Sequence, residues 1–249
     1  MTPVFLGFII ATAIGMTGVG GGTITAPLLL LVLRMKGAVA VGTALTFAAI
    51  IKFVVAPMYV IPRKVDYKIF GWMCLGGVPG VLVGGRLLIT ISKRVDAHTL
   101  YLILGTTVVL AAAANIYRLL KVKNLDGTGN KPRLLSLVCL PIGAEVGFSS
   151  AGSGALGTLS LLGLTKLPAS SVVGTDIMFG LVISVIGSGI QILAGNYDGD
   201  VLLKLVIGGL VGCFFGAFLN LRIPSRTMRW ALAIWLAALG LQIFWRGLS

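Results

Sequence analysis

The stretch TPVFLGFIIATAIGMTGVGGGTITAPLLLLVLR (residues 2–34) is apolar for longer than one membrane crossing requires, and a cluster of glycines interrupts it midway. A helix needs about 20 apolar residues to cross roughly 30 Å of hydrocarbon. Glycine-dense backbone holds a helix poorly, and unwound backbone at membrane depth survives only where protein or a watery cavity covers it. The segment therefore reads as two short helices joined by a break, GMTGVGGGTITAP (15–27).

The same pattern returns further on. GFSSAGSGALGT (147–158) interrupts a second long apolar segment, 134–165. Gly15 matches Gly147 and Gly20 matches Gly152, both at a spacing of 132 residues. The spacing holds without a gap for Gly42-Thr43 with Gly174-Thr175, Asp66 with Asp198, and Gly76, Gly80, Gly84 with Gly208, Gly212, Gly216. Such self-similarity marks an internal duplication, which recurs in secondary transporters. The expected organisation is a first transmembrane repeat over 1–120, a basic cytoplasmic linker over 121–133 and a second transmembrane repeat over 134–249.

Each half holds four apolar segments: 3–34, 38–62, 69–91 and 98–119, then 134–165, 169–195, 201–221 and 228–246. Of 249 residues, 57% are hydrophobic and only 27 are charged, 20 basic and 7 acidic, too few to cover a soluble surface. The mean hydropathy is +1.04. The expected fold is all-α, a polytopic membrane bundle with a glycine-broken first helix pair in each half. The lipid bilayer is its first partner, and the cell inner (plasma) membrane its location, crossed many times. The opening MTPVFLGFII lacks a basic n-region and a following small-residue cleavage site, so it reads as part of the mature protein.

Loop charge compares two topologies. With each broken segment as one full span, the halves are parallel and loop Lys and Arg divide 10 to 8. With each as a hairpin returning to its own side, the halves are inverted and the division is 12 to 6, with both termini on the poorer side. The positive-inside rule favours the inverted arrangement with the termini outside. The net charge of +13 sits at the ends of apolar segments, where headgroups attract it, which argues against nucleic acid as a partner. Cys74, Cys139 and Cys213 lie singly in apolar stretches and read as packing residues.

The candidate chemistry lies at the breaks. The second helix of each broken pair begins near mid-bilayer, so its free N–H groups and the positive end of its dipole suit a small anion. Gly20, Gly21, Gly22 and Thr23 form the first such site, and Gly152, Ser153 and Gly154 the second, with further hydroxyls from Thr17, Thr25, Ser149, Ser150 and Thr158. A tight hairpin satisfying its own backbone is the plainer alternative. Lys52 lies mid-span, where an unpartnered charge costs a few kcal/mol or more. It is the strongest single candidate for the substrate pathway, with a structural ion pair as the rival reading. Asp176 and Glu145 are the intramembrane acids that would pair with it or couple a proton. The glycine triplets of the third segments read as close helix packing. GVGGGT has neither the lysine of a phosphate-binding loop nor dinucleotide-binding spacing, so neither cofactor nor metal is expected.

Together, GVGGGTITAPLL (18–29), VGTALTFAAIIKF (41–53), YKIFGWMCLGGVPGVLVGG (67–85), VGTDIMFG (173–180) and GNYDGDVLLKLVIGG (195–209) resemble the sulfite exporter TauE/SafE family of membrane permeases across both halves. That resemblance implies movement of sulfite or small organosulfonates out of a bacterial cytoplasm. It marks the breaks, the pairs Gly42-Thr43 and Gly174-Thr175, and Lys52 as the matching positions. The second break departs from the first, reading AGSGALG in place of GVGGGT.

The expected function is secondary transport of a small anionic substrate by alternating access between the two halves, with no enzymatic activity. A passive channel would share the same dipoles and lysine. An intramembrane aspartyl enzyme needs two carboxylates within reach, one acting as base while the other is protonated. Asp176 would then require Glu145, whose equivalent in the first half is Ala13.

Overall fold

The computed structural model describes residues 2–17, 22–61, 64–121, 131–151, 154–219 and 225–248. Among them every regular element is helical. The first half comprises α1 (Thr2–Thr17), α2 (Gly22–Leu31), α3 (Gly37–Val55), a short α4 (Pro57–Val60), α5 (Tyr67–Arg94) and α6 (Ala97–Lys121). The second comprises α7 (Leu134–Ser149), α8 (Ala155–Leu164), α9 (Ala169–Leu193), α10 (Gly199–Leu219) and α11 (Ser225–Arg246). Five helices, drawn from α3, α5, α6, α9 and α10, are long and apolar enough to cross a bilayer.

Both expected breaks fall between separate helices. Gly20 and Gly21, and likewise Gly152 and Ser153, lie outside the described residues, as do positions 122–130 of the expected linker. On the near side of the second break, Ser150 caps α7 in the left-handed region at φ 63°. An L-residue enters that region at a cost, so the chain reverses there only with support. The support is local: Ser150 N–H donates to the Val146 carbonyl at 2.9 Å, and Ala151 N–H to Ser149 Oγ at 3.1 Å.

Aspartates start α5 and α10. Asp66 Oδ1 accepts from the N–H groups of Lys68 and Ile69, both at 3.0 Å, and Asp198 Oδ1 accepts from Val201 N–H at 3.0 Å. Each carboxylate satisfies donors that the helix leaves without partners, a cap worth about 1 kcal/mol.

The glycine triplets then set the packing between halves. An added Cβ at Gly76, Gly80 or Gly84 of α5 would fall 1.7, 2.1 and 1.9 Å from the carbonyl oxygens of Ser136, Leu140 and Ala144 of α7. At Gly208, Gly212 and Gly216 of α10 it would fall 1.9, 2.2 and 2.3 Å from those of Val4, Phe8 and Thr12 of α1. Both partners advance by four residues together, so each pair is parallel, and each triplet receives the first helix of the other half. Only hydrogen in place of a side chain permits backbones this close.

Two further cross-half pairs run the other way. Along α3 and α9, Gly42 meets Gln191, Leu45 meets Gly187 and Lys52 meets Gly180, one number rising as the other falls. Along α6 and α11, Gly105 meets Phe244, Val109 meets Gly240 and Leu102 meets Gly247. In these two pairs, helices that occupy equivalent places in the two halves are thus antiparallel neighbours. Two large rings fill the space beside this seam, Phe179 against Gly77 and its counterpart Phe47 against Gly209.

Overpacking a well-filled contact costs about 1–3 kcal/mol, and backbone yields less readily than side chain. Gly80→Val and Gly212→Val are therefore expected to destabilise the detergent-solubilised protein by about that amount or more. Gly71→Ala, with nothing within 4 Å of its added methyl, serves as the neutral control. Equal thermal unfolding of all three variants would contradict this account of the interface.

Candidate functional site

Lys52 is on the inner face of α3 and is only 5% exposed. Its ammonium donates to Ser184 Oγ of α9 at 3.2 Å. The two residues are 132 apart in sequence, so Lys52 meets the residue equivalent to itself in the other half. One turn earlier on α9, Nζ sits 2.6 Å from where a Cβ of residue 180 would stand. Gly180 is therefore what allows the lysine head to enter the seam. A further turn back is Asp176, 4% exposed, whose charge acts on Lys52. Residues 176, 180 and 184 recur every four positions and so share one face of α9.

Asp176 also joins this seam to the second break. Its Oδ2 accepts from the Thr158 hydroxyl at 2.7 Å, and the same hydroxyl approaches the Gly154 carbonyl at 2.8 Å. Its Oδ1 lies 2.1 Å from the position a Cβ of residue 157 would take. Gly154 is the N-cap of α8, and having no side chain it supplies no cap of its own. The carboxylate thus reaches the first turn of α8 from a neighbouring helix, where the dipole and the open N–H groups favour negative charge. The Ser150 hydroxyl, 1% exposed at the same break, makes no hydrogen bond among the described residues.

The structure brings Lys52, Asp176 and Gly154 into one region. Gly22 opens α2 and Thr23 follows it within the helix. Glu145 lies on α7, where its Oε1 accepts from the Ser149 hydroxyl at 3.1 Å. Thr43 and Thr175 are fully buried. Thr43 Oγ accepts from the Asp198 N–H at 3.0 Å, and Thr175 Oγ from the Asp66 N–H at 3.0 Å. Each thus holds the aspartate cap of the opposite half, and Thr43 stands nine residues, roughly 13 Å of helix, from Lys52. Beside them Gly42 and Gly174 admit the carbonyls of Asn196 and Lys64 at 1.8 and 2.3 Å from an ideal Cβ.

Ser184, Gly180 and Gly157 were missed by sequence reasoning. Ser184 had a signal, its spacing of 132 residues from Lys52, but using it requires knowing that the two helices face each other at that point.

The family described as sulfite exporter TauE/SafE matches residues 4–243. The chain belongs to the TauE/SafE family. It is similar to "Probable membrane transporter protein YjnA" of Bacillus subtilis (strain 168), 26% identical and covering 96% of this chain and 98% of that one. It is also similar to "Probable membrane transporter protein YunE" of the same organism, 24% identical over 98% and 97% of the two chains. No solved structure matches. The chain is accordingly a multi-pass transporter protein of the cell membrane, and the buried charges of this TauE/SafE protein lie within the apolar bundle that family membership places in the bilayer.

The two threonine contacts give a direct test of the seam. Thr43→Val and Thr175→Val each remove one acceptor from a part-buried N–H and should cost about 1–3 kcal/mol in thermal unfolding. The double variant is expected to be additive within about 0.5 kcal/mol, because the two contacts share no partner.

Proposed function

We propose that this protein is a secondary transporter that exports small oxyanions, sulfite or short organosulfonates, by alternating access, and that it performs no enzymatic reaction. The observation carrying this reading is the buried Lys52 ammonium. It lies where the two halves meet, on the face of α9 that also carries Asp176, whose Oδ2 accepts from Thr158 in the first turn of α8. A cation at that depth costs several kcal/mol unless a partner or water compensates it, and intramembrane charges of this kind mark ion and substrate paths. A small oxyanion bound there would gain both the ammonium and the helix-terminus donors.

The antiparallel registers of α3 on α9 and of α6 on α11 support inverted halves, and the parallel glycine contacts support rigid units that exchange partners. In this reading α1 with α10 and α7 with α5 are the stiff walls. The α3–α9 seam is where rocking changes access. Thr43 and Thr175 act in the gates through the Asp198 and Asp66 caps. Gly20, Gly21, Gly22, Thr23, Gly152, Ser153 and Gly154 line the anion path, and Glu145 and Asp176 serve coupling.

Flux of labelled sulfite and of methanesulfonate in proteoliposomes tests the proposal. Saturable flux that one anion inhibits for the other is expected. Lys52→Ala should lower kcat/KM about 30-fold or more, the consequence of removing one partner of a desolvated charge pair. Unsaturable flux would indicate a channel, and undiminished flux in Lys52→Ala would remove this site from the path.

A further inference from the structure

The two halves are alike in backbone and unlike in charge. At the 132-residue spacing the counterpart of Asp176 is Ala44, that of Gly157 is Thr25, and that of Thr158 is Ala26. Only the second half therefore carries a carboxylate, a hydroxyl to hold it and a glycine that lets it approach the start of a short helix. Duplication alone would give both halves the same groups, so this trio belongs to one function of one break.

We propose that Asp176 is a built-in substitute for the transported anion: in the unloaded carrier its carboxylate holds the first turn of α8 and compensates Lys52, and the incoming oxyanion takes both over. This inference rests on the transporter reading above and assigns the residue that governs its affinity and its empty return.

Four observations carry it. Asp176 is buried, 4% exposed, and one of its carboxylate oxygens accepts from Thr158 in the first turn of α8. The other oxygen is seated against Gly157, where any side chain would exclude it. Lys52, the cation it compensates, rests against Gly180 one turn further along the same face of α9. Among the described residues the Ser150 hydroxyl at this break is buried without a hydrogen-bond partner, a polar group suited to an oxyanion oxygen. Groups facing Asp176 come from two neighbouring helices: Lys52 of α3 and Thr158 of α8. One ammonium and one helix terminus cannot hold two anions in a medium of low dielectric without strong repulsion. The substrate and Asp176 must therefore alternate. Lys52 then has an anion beside it both with cargo and without it, which spares the empty carrier an uncompensated buried cation during reorientation.

Asp176→Asn keeps the shape and an acceptor for Thr158 while removing the charge. In the purified protein, sulfite titration followed by thermal shift should show about tenfold tighter binding or more, because a site that is occupied internally binds more weakly by the fraction that is free. In proteoliposomes, exchange of internal for external sulfite should persist, whereas net efflux into sulfite-free medium should fall about tenfold, since the empty carrier then returns with Lys52 uncompensated. Unchanged or weaker binding overturns the proposal, as does a parallel fall of exchange and net efflux in a variant that melts like the native protein. If Asp176→Asn does not fold, Thr158→Val carries the same test. It keeps the carboxylate, frees it from its hydroxyl, and should tighten sulfite binding about threefold by the same competition. Absence of saturable flux in the native chain would remove the transporter reading by itself, and the binding titration would still decide the competition.

Discussion

The architecture depends on one constraint: an ammonium group buried between two helices inside an apolar bundle. Bringing the head of Lys52 to the α3–α9 seam requires a missing side chain at Gly180, an acceptor at Ser184 and negative charge at Asp176. Removing any one of these leaves either a steric conflict or an unsatisfied charge in a medium that solvates neither. Since all three are on one face of α9, a single helix meets the requirement, and α9 must be held in register with α3 to within a fraction of a turn.

That register is secured away from the seam. The glycine triplets of α5 and α10 bring α7 and α1 into backbone contact, so each half clasps the opening helix of the other. The aspartate caps of α5 and α10 are then pinned by Thr175 and Thr43, which belong to the same two helices that carry Asp176 and Lys52. A displacement of α3 against α9 would strain these contacts together. Packing of this kind switches between discrete arrangements more readily than it deforms, which is what a gated pathway needs.

Much of this was legible before any coordinates, because glycine spacing and apolar length are direct consequences of membrane packing. Residues 2–34 and 134–165 read as broken pairs, and the 132-residue offset recurs contact by contact between the halves. The site was read less completely. Lys52 and Asp176 stand out in sequence because charge in an apolar run is costly, but Ser184, Gly180 and Gly157 are small residues indistinguishable from their neighbours until the facing helix is known. Thr43 and Thr175 stand beside conspicuous glycines, and nothing in the local pattern tells a hydroxyl that holds a backbone cap from one that faces a ligand. The contact each makes joins residues more than a hundred positions apart.

The two breaks recur at the 132-residue spacing, yet the charges do not follow it: Lys52 faces Ser184, Asp176 stands opposite Ala44 and Glu145 opposite Ala13 at that spacing. A site built twice would hold two anions at two places. In the proposed cycle, a site built once has to be reachable from both sides of the membrane in turn, and Lys52 would occupy the position that permits this. A residue bonded to its own counterpart lies where the two halves exchange, so a motion that swaps their conformations leaves it at nearly the same depth while the walls around it trade places. Breaking the symmetry of charge while keeping the symmetry of backbone is thus the condition under which one cation can serve both faces in the proposed cycle.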